Sequence, residues 1–219
     1  VCGPDVGALA ILHALWLFLP AYVANMSPVF SSKLMPKWSH PIDGGRTRED
    51  GTRILGDGKT WRGLAGGAVA AGLTAMAMAG LATAVAPSWL DGWDLGYIQE
   101  GTCGETEDCE ATHTPLGLIF LFGAIVGFFA LAGDAVESYF KRKSGRPRGA
   151  PWIPFDQLDF VVFGLLGMVV ASPLLADGWI REALLGDWLI LTTLIVLTPA
   201  LHLSINRIGY WMGLKDVPW

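Results

Sequence analysis

The chain has 219 residues, of which 52% are hydrophobic and only 16% are charged. A soluble domain carries about 25% charged residues, so this composition argues against a soluble protein. The formal net charge is −5, and we expect no nucleic-acid partner.

Five apolar runs predict an all-α membrane protein with five transmembrane helices. Each run approaches the length needed to cross a bilayer core of about 30 Å. Five buried core helices of a soluble protein are the alternative, but so small a chain has too little polar surface to cover them. The first run has no Lys or Arg before it, so we interpret it as a retained helix and not a signal peptide. The predicted spans, within one domain over residues 1–219, cover about residues 6–26, 62–86, 115–141, 157–176 and 187–206.

The basic residues indicate the orientation of these spans. Every Lys and Arg except Arg181 lies on the side of the loops 27–61 and 142–156 and of the C-terminus. The positive-inside rule therefore predicts a multi-pass protein of the cell membrane, with these loops and the C-terminus cytoplasmic and the N-terminus outside. On the outer side, Cys103 and Cys109 could form a disulfide, since that compartment is oxidising.

The segment GDGKTWRG at 56–63 ends like a P-loop but does not match one. The pattern G-x-x-x-x-G-K-[ST] would place its first glycine at position 53, which is Arg53, and no buried strand precedes the segment. An interfacial turn anchored by Trp61 is the plainer interpretation. Because the segment directly precedes the second span, its polar residues also lie at membrane-surface height, where they can meet phosphate: Asp57, Gly58, Lys59, Thr60 and Arg62. Asn25 ends the first span before the Ser27-Pro28 break at the same height, and could hydrogen-bond a polar ligand.

The third span runs on into a charged helix end. Asp134, Ser138 and Lys141 follow i, i+4, i+7 spacing and share one stripe, with Glu137 beside it. Gly145 is the expected C′ residue that ends this helix in the left-handed conformation. The prolines of GRPRGAPWIP then predict an extended loop.

The fourth helix is predicted to begin at DQLD. Asp156 is a good N-cap, and Asp159 stands three residues later on the same turn. Both carboxylates could simply offset the helix dipole while the arginines meet lipid head groups. Asp134 favours a functional site, because an ionisable residue at the end of an apolar span is costly and usually functional. Mg²⁺ takes one or two carboxylates together with substrate phosphates, so phosphate-and-metal chemistry is predicted.

Four segments resemble the archaeal CDP-archaeol synthases: PAYVANMSPV at 20–29, PIDGG at 41–45, LGDGKTWRG at 55–63 and GDAVESYFKRKSGRPRGAPWIPFDQLDF at 133–160. That family is similar to the phosphatidate cytidylyltransferases, whose signature contains a Ser, a Lys-Arg pair and a closing Asp-Arg-x-Asp. Ser138, Lys141-Arg142 and Asp156 to Asp159 look like its counterpart. Gln157 stands where that signature has arginine, so metal assignments from the broader group do not transfer directly.

The resemblance implies CMP transfer from CTP to an ether-lipid phosphate, 2,3-bis-O-geranylgeranyl-sn-glycerol 1-phosphate, giving CDP-archaeol and pyrophosphate with Mg²⁺. The expected metal ligands are Asp134, Asp156 and Asp159. The cations expected on the triphosphate are Lys59, Arg62, Lys141 and Arg142, while Arg146 or Arg148 would meet the lipid phosphate. A CTP-dependent polyprenol kinase is the alternative enzyme. An anion transporter is disfavoured because the span centres offer only His13 and His202 as ionisable residues.

Overall fold

Five α-helices make up most of what the computed structural model describes, namely residues 6–85, 114–146, 155–175 and 188–213 together with 150, 152, 153, 180, 184 and 186. The helices are α1 (Val6–Leu34), α2 (Trp61–Val85), α3 (Leu116–Lys143), α4 (Phe155–Ala171) and α5 (Trp188–Trp211). A short 3₁₀ turn, Ser172–Leu174, continues α4. No extended strand occurs among the described residues. The all-α prediction is confirmed.

Four of these helices are long and apolar enough to cross a membrane: α1, α2, α3 and α4 with its 3₁₀ turn. In α5 the apolar stretch covers the shorter segment Trp188–Leu201. Helices suit this environment because each backbone N–H and C=O finds its partner within the same segment. The chain is therefore a multi-pass membrane protein.

The first helix is longer than the sequence predicts. The break expected at Ser27-Pro28 does not occur, and α1 continues through Pro28 to Leu34. Pro28 has no N–H to donate to the carbonyl of Ala24, and Gly67 of α2 packs so closely on that carbonyl that a Cβ at Gly67 would lie 3.0 Å from its oxygen. Gly67 therefore lets α2 approach α1 closely at the carbonyl that Pro28 leaves without its usual donor. The first loop consequently begins near residue 35 and not at 27.

Small residues let α3 pack tightly against α2. A Cβ at Gly127 would lie 2.5 Å from the Cβ of Ala71, and one at Gly123 would lie 2.5 Å from the Ala71 carbonyl oxygen. Close backbone approach of this kind is a usual basis of helix association in membranes, where apolar surface alone gives little driving force. Because α3 also packs extensively on α4, its C-terminal end lies beside the starts of both α2 and α4.

Aromatic side chains join α1 to α4 on the other side of the bundle. The rings of Phe18 and Tyr22 lie 6.1 and 6.0 Å from the ring of Phe160. The Tyr22 hydroxyl is 2.7 Å from Thr198 Oγ1 in α5, so a polar contact also connects α1 with the last helix.

The loop between α1 and α2 is ordered by backbone pairing without forming a sheet. Isolated antiparallel bridges join Pro41 to Thr60 and Thr47 to Arg53. The Thr60 hydroxyl accepts the Gly63 N–H at 3.2 Å, as an N-cap residue does. The segment that carries Lys59 is thus fixed directly at the start of α2.

The prediction for the end of α3 is confirmed, and that for the start of α4 is corrected. Gly145 has φ +73° and donates its N–H to the Arg142 carbonyl at 3.1 Å. The fourth helix begins at Phe155, so Asp156 lies in its first turn and is not the N-cap.

Candidate active site

A glycine places the acidic residues of α3 and α4 side by side. A Cβ at Gly133 would lie 2.8 Å from the Asp159 carbonyl oxygen and 2.7 Å from Phe163 Cβ. Only a glycine allows the two helices to approach so closely at this level. Asp134 follows Gly133 in the chain, and the approach therefore brings its carboxylate to Asp159.

Three carboxylates converge at this contact. Asp134, Glu137 and Asp159 each offer an oxygen, and the three atoms lie within 4.8 Å of one another. The Glu137 side chain is 8% exposed, and its Oε1 has no hydrogen-bond partner among the described residues. A buried polar oxygen without such a partner is costly. Together with Asp134 and Asp159 it makes three hard oxygen donors, which fit a hard divalent cation.

A lysine from the first loop reaches this cluster. The Lys59 ammonium donates to Asp134 Oδ2 and forms an ion pair with it. The two residues belong to different segments, so the pair joins GDGKTWRG to the end of α3. The sequence predicted that Lys59 and Asp134 serve one phosphate site, and this ion pair brings the two residues together.

A second lysine lies on the other side of the cluster. Lys141 Nζ is 2.6 Å from Asp156 Oδ1 and 3.8 Å from Glu137 Oε1. The second oxygen of Asp156 accepts the Trp152 N–H at 2.8 Å. Asp156 is thereby engaged by Lys141 and by the loop backbone, and the third member of the carboxylate cluster beside Asp134 and Asp159 is Glu137. The metal-ligand role of Asp156 stays a prediction.

Thr60, Arg62 and Asp57 make contacts within and around the first loop. The Thr60 hydroxyl caps α2. The buried Arg62 donates from Nη1 to the Met35 carbonyl at 2.6 Å, which connects the start of α2 to the end of α1. The Asp57 carboxylate is exposed and pairs with Arg53.

The remaining predicted residues take different positions. Asn25 is partly buried on α1, Ser138 is buried on α3 one turn after Asp134, and Gly58 lies in the exposed part of the loop. The Arg142 guanidinium donates to the Arg146 carbonyl. The Arg146 guanidinium lies 5.6 Å from the centre of the Trp152 ring. Arg148, Cys103 and Cys109 lie outside the described residues.

Two features of this region were not predicted from the sequence. Glu137 joins Asp134 and Asp159 in the carboxylate cluster, and its i+3 spacing from Asp134 is a signal that could have indicated it. Asp43 was not singled out, yet its carboxylate accepts Arg53 Nη2 at 2.7 Å and the Leu55 N–H at 3.1 Å. The glycines after it in PIDGG indicated only a turn.

Comparison with known proteins identifies the family. A family model described as CarS-like, CDP-archaeol synthase, matches residues 8–93 and 95–219. The chain belongs to the CDP-archaeol synthase family.

Relatives in the CDP-archaeol synthase family match the chain over nearly its whole length. The CDP-archaeol synthase of Halobacterium salinarum is 37% identical, over 95% of this chain and 97% of the relative. That of Thermococcus onnurineus is also 37% identical, over 96% of this chain and 98% of the relative. A solved structure, described as an intramembrane enzyme for archaeal membrane lipid biosynthesis, is 27% identical with a TM-score of 0.57, and covers 90% of this chain and 94% of that one.

Proposed function

We propose that the chain, as a member of the CDP-archaeol synthase family, transfers CMP from CTP to 2,3-bis-O-geranylgeranyl-sn-glycerol 1-phosphate at the carboxylate cluster. The products are CDP-archaeol and pyrophosphate. One observation carries the location of the site: Asp134, Glu137 and Asp159 each place an oxygen within 4.8 Å of the others. Lys59 pairs with Asp134, and Lys141 lies 3.8 Å from Glu137.

The proposed site lies where both substrates can reach it. The lipid is confined to the bilayer, and CTP is a polyanion dissolved in the cytoplasm. We infer five spans, with α5 as the last. The positive-inside rule puts both basic loops and the C-terminus in the cytoplasm and the N-terminus outside. The cluster then lies at the cytoplasmic surface of the membrane.

The carboxylate cluster suits Mg²⁺ held by Asp134, Glu137 and Asp159. When bound there, Mg²⁺ would neutralise part of the charge on the CTP phosphate oxygens. Asp156 supports this site indirectly, because it holds Lys141 at 2.6 Å and keeps that ammonium beside Glu137. The assignment replaces Asp156 by Glu137 in the ligand set that the sequence predicts.

The two lysines are the main protein charges available to the triphosphate. Lys59 is half-buried and paired with Asp134, so it can exchange this carboxylate for a phosphate oxygen by a small movement of its flexible side chain. Lys141 is buried between Glu137 and Asp156 and would orient the triphosphate at the other side. Arg142 would add charge at the same helix end, and Arg146 or Arg148 would meet the lipid phosphate.

Thr60 and Arg62 serve this site by holding Lys59 in place. Thr60 caps α2 immediately after Lys59, and Arg62 fastens the first turn of α2 to the Met35 carbonyl. Asn25 and Ser138 remain proposed ligand contacts, since each has a hydrogen-bonding side chain. Ser138 lies near the cytoplasmic end of α3, whereas Asn25 lies within α1, more than two turns before that helix ends at Leu34.

The chemical step needs alignment more than proton transfer. A lipid phosphate oxygen attacks the α-phosphorus of CTP, a new P–O bond forms, and the bond from the α-phosphorus to the bridging oxygen of pyrophosphate breaks. The lipid phosphate is already ionised at neutral pH, so no dedicated general base is required. Lysine side chains fixed around both anions reduce their mutual repulsion, and preorganised charge of this kind is usually the largest catalytic term.

Isotopic labelling tests the reaction directly. CTP labelled at the α-phosphate should transfer its label to the lipid in the presence of Mg²⁺ and the lipid phosphate. CTP labelled at the γ-phosphate should release its label as pyrophosphate. Transfer of the γ-label to lipid, with release of CDP, would instead show a CTP-dependent kinase and contradict the proposal.

A further inference from the structure

Asp43 is a buried carboxylate whose oxygens are already engaged by the protein. Its side chain is 3% exposed. Oδ1 accepts Arg53 Nη2 at 2.7 Å and the Gly45 N–H at 3.0 Å, and Oδ2 accepts the Leu55 N–H at 3.1 Å. Three donors from three positions of the loop therefore meet at this one carboxylate, which connects parts of the loop that are up to 12 residues apart in the chain.

The Asp43 contacts extend to the segment that carries Lys59. Arg53 joins the Asp43 carboxylate to the carboxylate of Asp57, which lies two residues before Lys59. The Lys59 N–H donates to the Gly56 carbonyl at 3.3 Å, so the turn that holds Asp57 ends at Lys59 itself.

Ile42, which precedes Asp43 in the chain, also holds the Lys59 backbone. The Ile42 N–H donates to the Lys59 carbonyl at 2.9 Å, and the Trp61 N–H donates to the His40 carbonyl at 3.0 Å. The stretch 40–42 therefore pairs with 59–61 immediately before Asp43. Asp43 directly follows this paired stretch in the chain, and its carboxylate accepts from Arg53 and Leu55.

The loop needs such an organising group, since its own backbone is unusually free. Gly44, Gly45, Gly51 and Gly56 all have positive φ, and glycine-rich segments lose much conformational entropy when they are ordered. The loop has only isolated bridges in place of a sheet. The Asp43 contacts therefore add order to the loop that ends at Lys59.

We infer that Asp43 is a positioning residue for the reaction: through Arg53 and the paired backbone it sets Lys59 against Asp134, and thereby controls how well the site binds CTP. This inference rests on the proposed function, in which Lys59 passes to the triphosphate. It adds a residue outside the carboxylate cluster to those that determine CTP affinity.

A double-mutant cycle tests the inference. Asp43→Asn keeps the size of the side chain but removes the charge that holds Arg53. We expect the KM for CTP to rise on the order of 10- to 100-fold, as small misplacements of catalytic groups do, with little change in the KM for the lipid phosphate. In a Lys59→Met background, Asp43→Asn should cause no further loss, because both changes remove the same interaction.

Asp50 supplies the matched control. It lies in the same loop and its carboxylate accepts only from the neighbouring Thr52 in the described contacts. Asp50→Asn should leave both KM values unchanged. Arg53→Met removes the other partner of the Asp43–Arg53 ion pair. This variant replaces Asp43→Asn in the test if Asp43→Asn does not fold.

The outcomes separate this inference from the proposed function. If Lys59→Met alone leaves the CTP kinetics unchanged, the phosphate role of Lys59 is wrong, and the inference with it. If Lys59→Met is impaired and Asp43→Asn or Arg53→Met impairs it further by its full single-variant factor, only the inference is overturned. A folded Asp43→Asn variant with an unchanged KM for CTP overturns it as well.

Discussion

Lys59 and Asp134 form an ion pair between two segments that are 75 residues apart in the chain. The pair places an ammonium on one of the three clustered carboxylates. A cation at the cluster and a phosphate at Lys59 would each separate the pair, so binding of metal and nucleotide should be linked at this contact.

Replacement of Lys59 should have opposite effects on the use of CTP and on the binding of Mn²⁺. In Lys59→Met we expect kcat/KM for CTP to fall on the order of 10²–10³, as for loss of other preorganised charges. The affinity of the nucleotide-free protein for Mn²⁺ should rise, because Asp134 loses a competing positive charge. Radiolabelled CMP transfer and Mn²⁺ titration by electron paramagnetic resonance measure these quantities.

Lys143 is the control for that experiment. It is exposed at the end of α3, and Lys143→Met should change neither quantity appreciably. A Lys59→Met variant that binds Mn²⁺ more weakly than the parent chain would contradict competition for Asp134.

Glu137 and Asp156 should differ in their effects on metal binding. Glu137→Gln removes an oxygen ligand from the cluster and should weaken Mn²⁺ binding by about 10-fold or more. Asp156→Asn removes the partner of Lys141 at 2.6 Å and should mainly lower thermal stability. Each variant replaces one carboxyl group by an amide, so equal losses of Mn²⁺ affinity would show that the proposed ligand set is wrong.

Gly133 should be required for the distance between Asp134 and Asp159. Gly133→Ala places a Cβ against Phe163 and the Asp159 carbonyl, and overpacking of this kind costs about 1–3 kcal/mol. The helices must move apart, so Mn²⁺ affinity and CMP transfer should both fall. Gly117→Ala is the matched control in the same helix, since a Cβ there meets nothing within 4 Å. Equal Mn²⁺ affinity in the two variants would speak against the role of this close contact.

The first loop should resist mild acid. Burial alone would raise the pKa of the Asp43 carboxyl, but hydrogen bonds from the Leu55 amide, the Arg53 guanidinium and the Gly45 amide lower it below its ordinary value of 3.8. The Asp43 contribution to loop stability is therefore complete above pH 3.8 and is lost as the pH falls through the lower folded-state pKa.

Hydrogen exchange of the Leu55 amide measures this contribution. Its protection should be unchanged between about pH 6 and pH 4, once intrinsic exchange rates are taken into account, and should decline only in stronger acid. Asp43→Asn should lower the protection throughout this range. Loss of protection in the parent chain already near pH 5 would contradict a lowered pKa.

The sequence predicted the positions of the helices well because a long apolar run in a membrane protein forms a helix, which pairs its own backbone groups. It did not predict the path of α1 through Pro28, because a proline removes a helix hydrogen bond and usually breaks or kinks a helix. Nor did spacing alone distinguish Asp156 from Glu137. Both are carboxylates at helical spacing from the other predicted ligands. Which of them lies in the carboxylate cluster depends on where α4 begins and on which carboxylate pairs with Lys141.

The role of Asp43 could not be predicted from the sequence either, because its hydrogen-bond partners come together only in the folded loop. Its three donors come from Gly45, Arg53 and Leu55, and only the folded loop brings them to one carboxylate. Gly145, whose partner Arg142 lies in the helix that it ends, was predicted correctly. Asp43, whose partners include Arg53 and Leu55, required the structure.

Exchange of a carboxylate for a thiolate at Asp159 gives the most direct test of the metal site. Thiolate is a soft ligand that binds Cd²⁺ far better than Mg²⁺, so Asp159→Cys should be inactive with Mg²⁺ and regain CMP transfer when Cd²⁺ is added. The background should carry serine at Cys2, Cys103 and Cys109, and Asp50→Cys in that background should show the parent metal preference. Full activity of Asp159→Cys with Mg²⁺, and no response to Cd²⁺, would contradict a divalent cation held by Asp134, Glu137 and Asp159.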